Sequence, residues 1–245
     1  MNALFVNPKA RDDALLAENL LVFFHAQRTG GSALRHILAR ALGQEAIYCT
    51  QFVDKFQHWP KLTPADLQGY AVFAGHSNFE PKEMVRSQRF VTLMRHPVYR
   101  TISIYYYAKR YETQFLHPFT LENGLVDFYY KARKEHPGYF ANVMCQRICG
   151  RRKFDLARDN LEANYWVVGA TEKLGVFVDW LLEALSVPSE KTKDLGWDKD
   201  KYAKELQHTD MVNDILKDNR HDVALFEYMN EKYFGLPDEH YPKLT

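Results

Sequence analysis

Four short apolar runs, at residues 20–25, 70–75, 90–94 and 166–169, frame this chain. They read as buried strands. Each ends in a turn or polar cluster followed by a helical pattern, and that alternation argues for an α/β fold with a central parallel sheet flanked by helices. Several helix starts are marked. Thr63 precedes Pro64 with Asp66 three residues on, Pro97 opens a helix to about Tyr111, and Thr171 caps one to about Leu185. From about Asp210 to Phe234 the pattern is helical, with Val212, Ile215, Leu216, Val223, Phe226 and Met229 as an apolar stripe facing core. No repeat or Pro/Gly/Ser linker divides the sequence, so residues 1–245 read as one domain, with its core motifs in 20–185 and a C-terminal helical part at 198–235.

Composition narrows the partners. With 46% apolar residues among 245, the chain can bury a substantial core. A net charge of +1 argues against a general nucleic-acid or membrane-surface binder, so an anionic partner must be met by local basic groups. No apolar run approaches the roughly 18 residues of a membrane span, and the first twenty residues carry acids and lack a basic-then-apolar signal pattern. Three cysteines, Cys49, Cys145 and Cys149, are too few for a disulfide framework and lack zinc-finger spacing. The expectation is a soluble, cytoplasmic globular protein.

Ligands of open α/β sheets sit at the carboxyl ends of strands, so the four strand ends are where chemistry is sought. After the first comes His25-Ala-Gln-Arg-Thr-Gly-Gly-Ser32. Gly30 and Gly31 let backbone approach a ligand closely, and the free N–H groups of the following helix favour an anion. Thr29 and Ser32 add hydroxyls, and Arg28 adds a guanidinium fork. After the second strand, His76 follows Gly75, where an imidazole can face a cleft as a proton acceptor. Arg95 leaves the third strand beside a helix N-terminus, and Ser103 lies two turns into that helix. The fourth end reads as a plain helix cap. No strand ends in Asp and no Lys follows the glycine pair, so the loop suits an anionic nucleotide that needs no metal.

Taken together these segments resemble a known family. "RTGGS" is similar to the P-K-T-G-G-T/S loop that holds the 5′-phosphosulfate of 3′-phosphoadenosine 5′-phosphosulfate (PAPS) in carbohydrate sulfotransferases. "FVTLMRHPVYRTISIYYYAKR" resembles the family's 3′-phosphate segment, strand-R-D-P-x-x-R-x-x-S-x-Y-Y. "FAGHSNF" resembles the G-H-x-x-[FY] turn carrying the proposed base of the heparan sulfate (uronyl) 2-O-sulfotransferase branch, and "YWVVGATEKL" its V-G-x-T-E-x-L segment. The four lie in the family's order. Two residues depart from the pattern, since the loop lysine is Arg28 and the Asp of R-D-P is His96.

The resemblance implies a P-loop-like nucleotide-binding core and a PAPS-dependent sulfotransferase acting on a carbohydrate hydroxyl. It implies that Arg28, Thr29, Gly30, Gly31, Ser32 and Ala33 surround the 5′-phosphosulfate, that Arg95 and Ser103 grip the 3′-phosphate, and that His76 is the base, with His25 in reserve. No metal is expected. Lys109, Arg110, Arg133, Lys134, Arg147, Arg151, Arg152 and Lys153 are candidates to line a cleft for an acidic glycan. Two other readings stay open: a metal-dependent nucleotide kinase, and a module that binds nucleotide or glycan without turning it over.

Overall fold

A computed structural model describes residues 3–8, 19–83, 87–188 and 199–243. They form an α/β domain around a six-stranded sheet in the order β1-β6-β5-β2-β4-β3. The strands are β1 (Leu4–Val6), β2 (Asn19–Phe24), β3 (Ile47–Tyr48), β4 (Val72–Gly75), β5 (Ser87–Met94) and β6 (Tyr165–Ala170). The four apolar runs are the four inner strands, all paired in parallel. The sheet is nevertheless mixed rather than wholly parallel, because β1 joins the β6 edge antiparallel. At three and two residues, β1 and β3 are too short to show periodicity.

The inner strands read as continuous apolar runs because both faces are covered. Leu20, Val22 and Phe24 of β2 point into one core with Phe73 and Phe90, while Leu21 and Phe23 point into the other with Val72 and Val91. Helices α1 (Gly31–Leu42) and α7 (Leu174–Ala184) cover the second face through Leu34, Leu38, Phe177 and Leu181. The first face is covered by α5 (Val143–Cys149), α6 (Phe154–Asn164) and α9 (Arg220–Met229), through Met144, Leu161 and Leu225. A third cluster joins α2 (Pro97–Arg110), α3 (Leu125–Glu135) and α8 (Thr209–Asp218), and the four-residue α4 (Pro137–Phe140) adds Phe140 to it. The three cysteines are free thiols.

Three helix expectations change in detail. Thr63 does cap a turn, donating its N–H and hydroxyl to Asp66 Oδ2 at 2.7 and 2.6 Å and accepting from the Asp66 N–H at 3.4 Å, but only the 3₁₀ turn Ala65–Leu67 follows. Thr171 opens a 3₁₀ turn, Thr171–Lys173, and its hydroxyl donates to the Met94 carbonyl (2.9 Å) instead of capping α7. The C-terminal stripe belongs to two helices, not one. Asn219 breaks it: buried, it donates from Nδ2 to the Ile215 carbonyl at 2.9 Å, the local backbone competition that makes Asn a poor helix interior. The expected start of this part at residue 198 lies outside the described residues. No helix among the described residues is long and apolar enough to cross a membrane.

From β2 the chain turns toward β4 and β3, and from β5 toward β6. The carboxyl ends of β2 and β5 thus meet at a topological switch point, where open α/β sheets form their ligand crevice.

Candidate functional site

A cavity of about 570 Å³ opens at that point, bordered by the ends of β2, β4, β5 and β6. Of the residues singled out in the sequence, Arg28, Gly30, Gly31, Ser32, Ala33, His76, Arg95 and the reserve His25 all line it. Thr29 and Ser103 do not. The buried Thr29 hydroxyl donates to the Ala26 carbonyl at 2.8 Å, tying the loop to the end of β2. Ser103 Oγ accepts from Arg28 Nε at 3.2 Å and so holds the loop arginine.

The loop is shaped by two unusual positions. Gly30 sits at φ 89° as the cap of α1, where a Cβ would also press on Leu93 at 3.3 Å. Arg28 has φ 69°, rare for a side chain of its size and a recurrent mark of functional sites. Its carbonyl accepts from Arg95 Nη1 at 3.1 Å, and its guanidinium lies 4.3 Å over the Tyr107 ring. Burial and the Arg95 charge pull the Arg28 guanidinium below its ordinary pKa. Gly31 serves a purpose not foreseen from the loop pattern: a Cβ there would fall 1.8 Å from His25 Nε2. The His25 ring occupies that space, stacked on Phe23 at 4.2 Å.

His25 and His76 lie together, ring centroids 4.4 Å apart. His76 Nδ1 is 3.0 Å from the His25 carbonyl. A carbonyl only accepts, so Nδ1 carries the proton and Nε2 keeps its lone pair. Burial, helped by the charges of Arg35 and Arg147, lowers the His76 pKa to about 4, well below the neutral value its turn position suggests. Burial and the neighbouring His76 hold His25 well below its ordinary value. Both imidazoles are therefore neutral across the physiological range.

The cavity wall contains no Asp or Glu, and among the described residues no ion pair engages Arg28, Arg35, Arg95 or Arg147. The buried Nε atoms of Arg35, Arg95 and Arg147 lack hydrogen-bond partners. Unpaired guanidiniums in a partly desolvated cavity form a receptor for a polyanion. Glu172 is buried behind the fourth strand end, where desolvation raises its carboxyl to about 7 against the opposing pull of Arg95. That strand end is thus not a plain cap: Thr171 lines the cavity too.

Sequence reasoning missed Arg35, Tyr107, Gln114, Phe115 and Tyr139, which with Gln27 and Thr50 complete the wall. Arg35 sits one helical turn beyond the glycine pair, on the face of α1 that returns to the loop, and its position was readable from that spacing. Gln114, Phe115 and Tyr139 come from a connection and a four-residue helix and carried no signal. The basic residues expected along an acceptor cleft do not line this cavity. Arg133 pairs with Asp218 (2.9 Å), Arg152 bonds Gln146 and the Gly138 carbonyl, and Arg147 reaches Asn78 Oδ1 at 2.7 Å while its charge acts on both histidines. His96 does not replace the capping Asp: its buried ring is packed by Tyr99, Phe226 and Tyr241, and its side chain makes no cap bond to α2. Among the described residues no group of three or more His, Cys, Asp or Glu side chains is placed to hold a metal ion. Compared with models of known families and with curated proteins, the chain matches none.

Proposed function

We propose that this chain moves a sulfuryl group from PAPS to a hydroxyl of a carbohydrate acceptor. The observation that carries this reading is the meeting, in one cavity, of a glycine loop at a helix N-terminus, arginines without carboxylate partners and a neutral, oriented histidine. The first two suit a donor bearing phosphates at both ends, and the third suits removal of a hydroxyl proton.

In this reading His76 Nε2 takes the proton of the acceptor hydroxyl as its oxygen bonds to sulfur. The bond between sulfur and the bridging oxygen of the donor breaks, and its electron pair leaves on the 5′-phosphate of the product, 3′-phosphoadenosine 5′-phosphate (PAP). Arg28 and the N–H groups opening α1 neutralise that charge, and Arg95 holds the 3′-phosphate. Ser103 contributes by orienting Arg28. A base held near 4 is ready to accept across neutral pH, though with less driving force than one near 7.

Isothermal titration with PAP, ADP and ATP in the presence of EDTA tests the reading. PAP should bind without metal and more tightly than ADP. Equal affinities for PAP and ADP, or binding of ATP only once magnesium is restored, would overturn it in favour of a kinase-type site.

A further inference from the structure

The cavity has an aromatic side that the donor reading leaves without a task. Phe115 is 50% exposed in a wall otherwise lined by Arg, His, Gln, Thr, Ser and Gly, with tyrosines beside it. Its two ring neighbours among the described residues, His136 at 5.1 Å and Tyr139 at 5.2 Å, meet it at near right angles, so none stacks parallel to Phe115. Tyr107 differs, because Arg28 already covers its face.

This side is firmly built. The buried Arg100 donates from Nη2 to the carbonyls of Tyr139 and Phe140, at 3.2 and 3.1 Å, and so fixes the short α4 that carries Tyr139. It shares the cavity with His76, and Arg147 bonds Asn78, two residues beyond His76. Arg95 lies over the Tyr202 ring and donates to the Arg28 carbonyl.

We propose that Phe115 and Tyr139 form an acceptor subsite for the apolar C–H face of a pyranose ring, with Gln114 and the Tyr139 hydroxyl available to its hydroxyl groups. A preorganised aromatic surface flanked by amide and phenol groups matches a ring that is apolar on its face and polar at its rim. The inference rests on the sulfuryl-transfer reading only for the word acceptor, since the subsite itself is a binding claim.

The test is saturation-transfer NMR with methyl β-D-glucopyranoside and methyl β-D-galactopyranoside as probes, with and without PAP. The ring C–H protons of at least one probe should receive saturation from the wild type. The signal should fall about fivefold or more in Phe115→Ala and return in Phe115→Trp, as expected for loss and restoration of an aromatic contact. Calorimetry should give Phe115→Ala an unchanged PAP affinity, and circular dichroism should report its fold intact, since the ring is half exposed. Signal from neither probe, or equal signal in Phe115→Ala, would overturn the subsite. A PAP affinity that drops with Phe115 would instead assign the ring to the nucleobase and overturn it as well. Failure of the wild type to bind PAP would sink the sulfuryl-transfer reading while leaving the pyranoside result to be read on its own.

Discussion

Asp222 and Arg95 are both buried charges, yet their surroundings differ in kind. At the junction of α5, α8 and α9, Asp222 accepts from the N–H groups of Met144 (2.9 Å) and Cys145 (2.8 Å) and faces the charge of Arg100. Beside it Asn142, held at φ 49°, donates its N–H to Asn219 Oδ1 and its Nδ2 to the Asp218 carbonyl, and accepts from the N–H groups of His221 and Asp222. Around the cavity, guanidiniums crowd together without a carboxylate partner. Polar groups paired within the chain hold the fold, whereas groups left unpaired in a cavity reserve their interaction energy for a ligand. The first set should be sensitive in stability and the second in binding.

The largest effect is expected at the junction. Asp222→Ala leaves Arg100 buried without its counter-charge and two N–H groups without an acceptor, and should lower the unfolding free energy by about 3–5 kcal/mol. Urea denaturation measures it, and a loss below about 1 kcal/mol would put this junction among ordinary sites.

His76→Ala comes next. It should reduce kcat by about 10²-fold or more while leaving PAP affinity in place. The pH profile sharpens the assignment. Because burial lowers the folded-state pKa to about 4, the wild-type rate should be flat through neutrality and fall only as pH drops toward that value and the imidazole takes up a proton. The variant should lack this acid limb. A wild-type limb near the ordinary histidine value of about 6.5 would show the ring to be solvated during turnover.

Arg95→Ala gives the smallest energy and the sharpest contrast. PAP affinity should fall roughly 10- to 150-fold, the worth of a charge-assisted contact of about 1.5–3 kcal/mol. Stability, however, should stay within about 0.5 kcal/mol or rise, because a cation without a carboxylate partner is removed. Thermal melting of the free protein beside calorimetry with PAP separates the two. A clear loss of stability would place Arg95 with the structural charges and erase the distinction.

The sequence made the inner sheet legible because strands covered on both faces must be largely apolar, as residues 20–24 are throughout and 90–94 are apart from Thr92. It made the loop, His76 and Arg95 legible because strand ends concentrate chemistry. The edge strands were hidden by their brevity, and β5 begins three residues before its apolar run, at the polar Ser87, Gln88 and Arg89. Phe115 and Tyr139 were hidden for a different reason. They reach the cavity only through tertiary packing, one from a connection and the other from a four-residue helix that Arg100 pins from a distance in sequence. The depressed His76 pKa was equally unreadable, since burial is a property of the fold and not of the Gly-His turn.

The fit of His25 against Gly31 carries a consequence for how this chain can vary. The imidazole is backed by Phe23 on one side and met by His76 on the other, so it has nowhere to retreat. Positions 25 and 31 are sterically coupled, although one follows a strand and the other begins a helix. A larger residue 31 requires a smaller residue 25, which would remove the ring packed against His76 while keeping the backbone carbonyl that accepts from its Nδ1. Drift at the loop is therefore coupled to the surroundings of the base through positions 25 and 31, six residues apart in the chain and in direct contact in space.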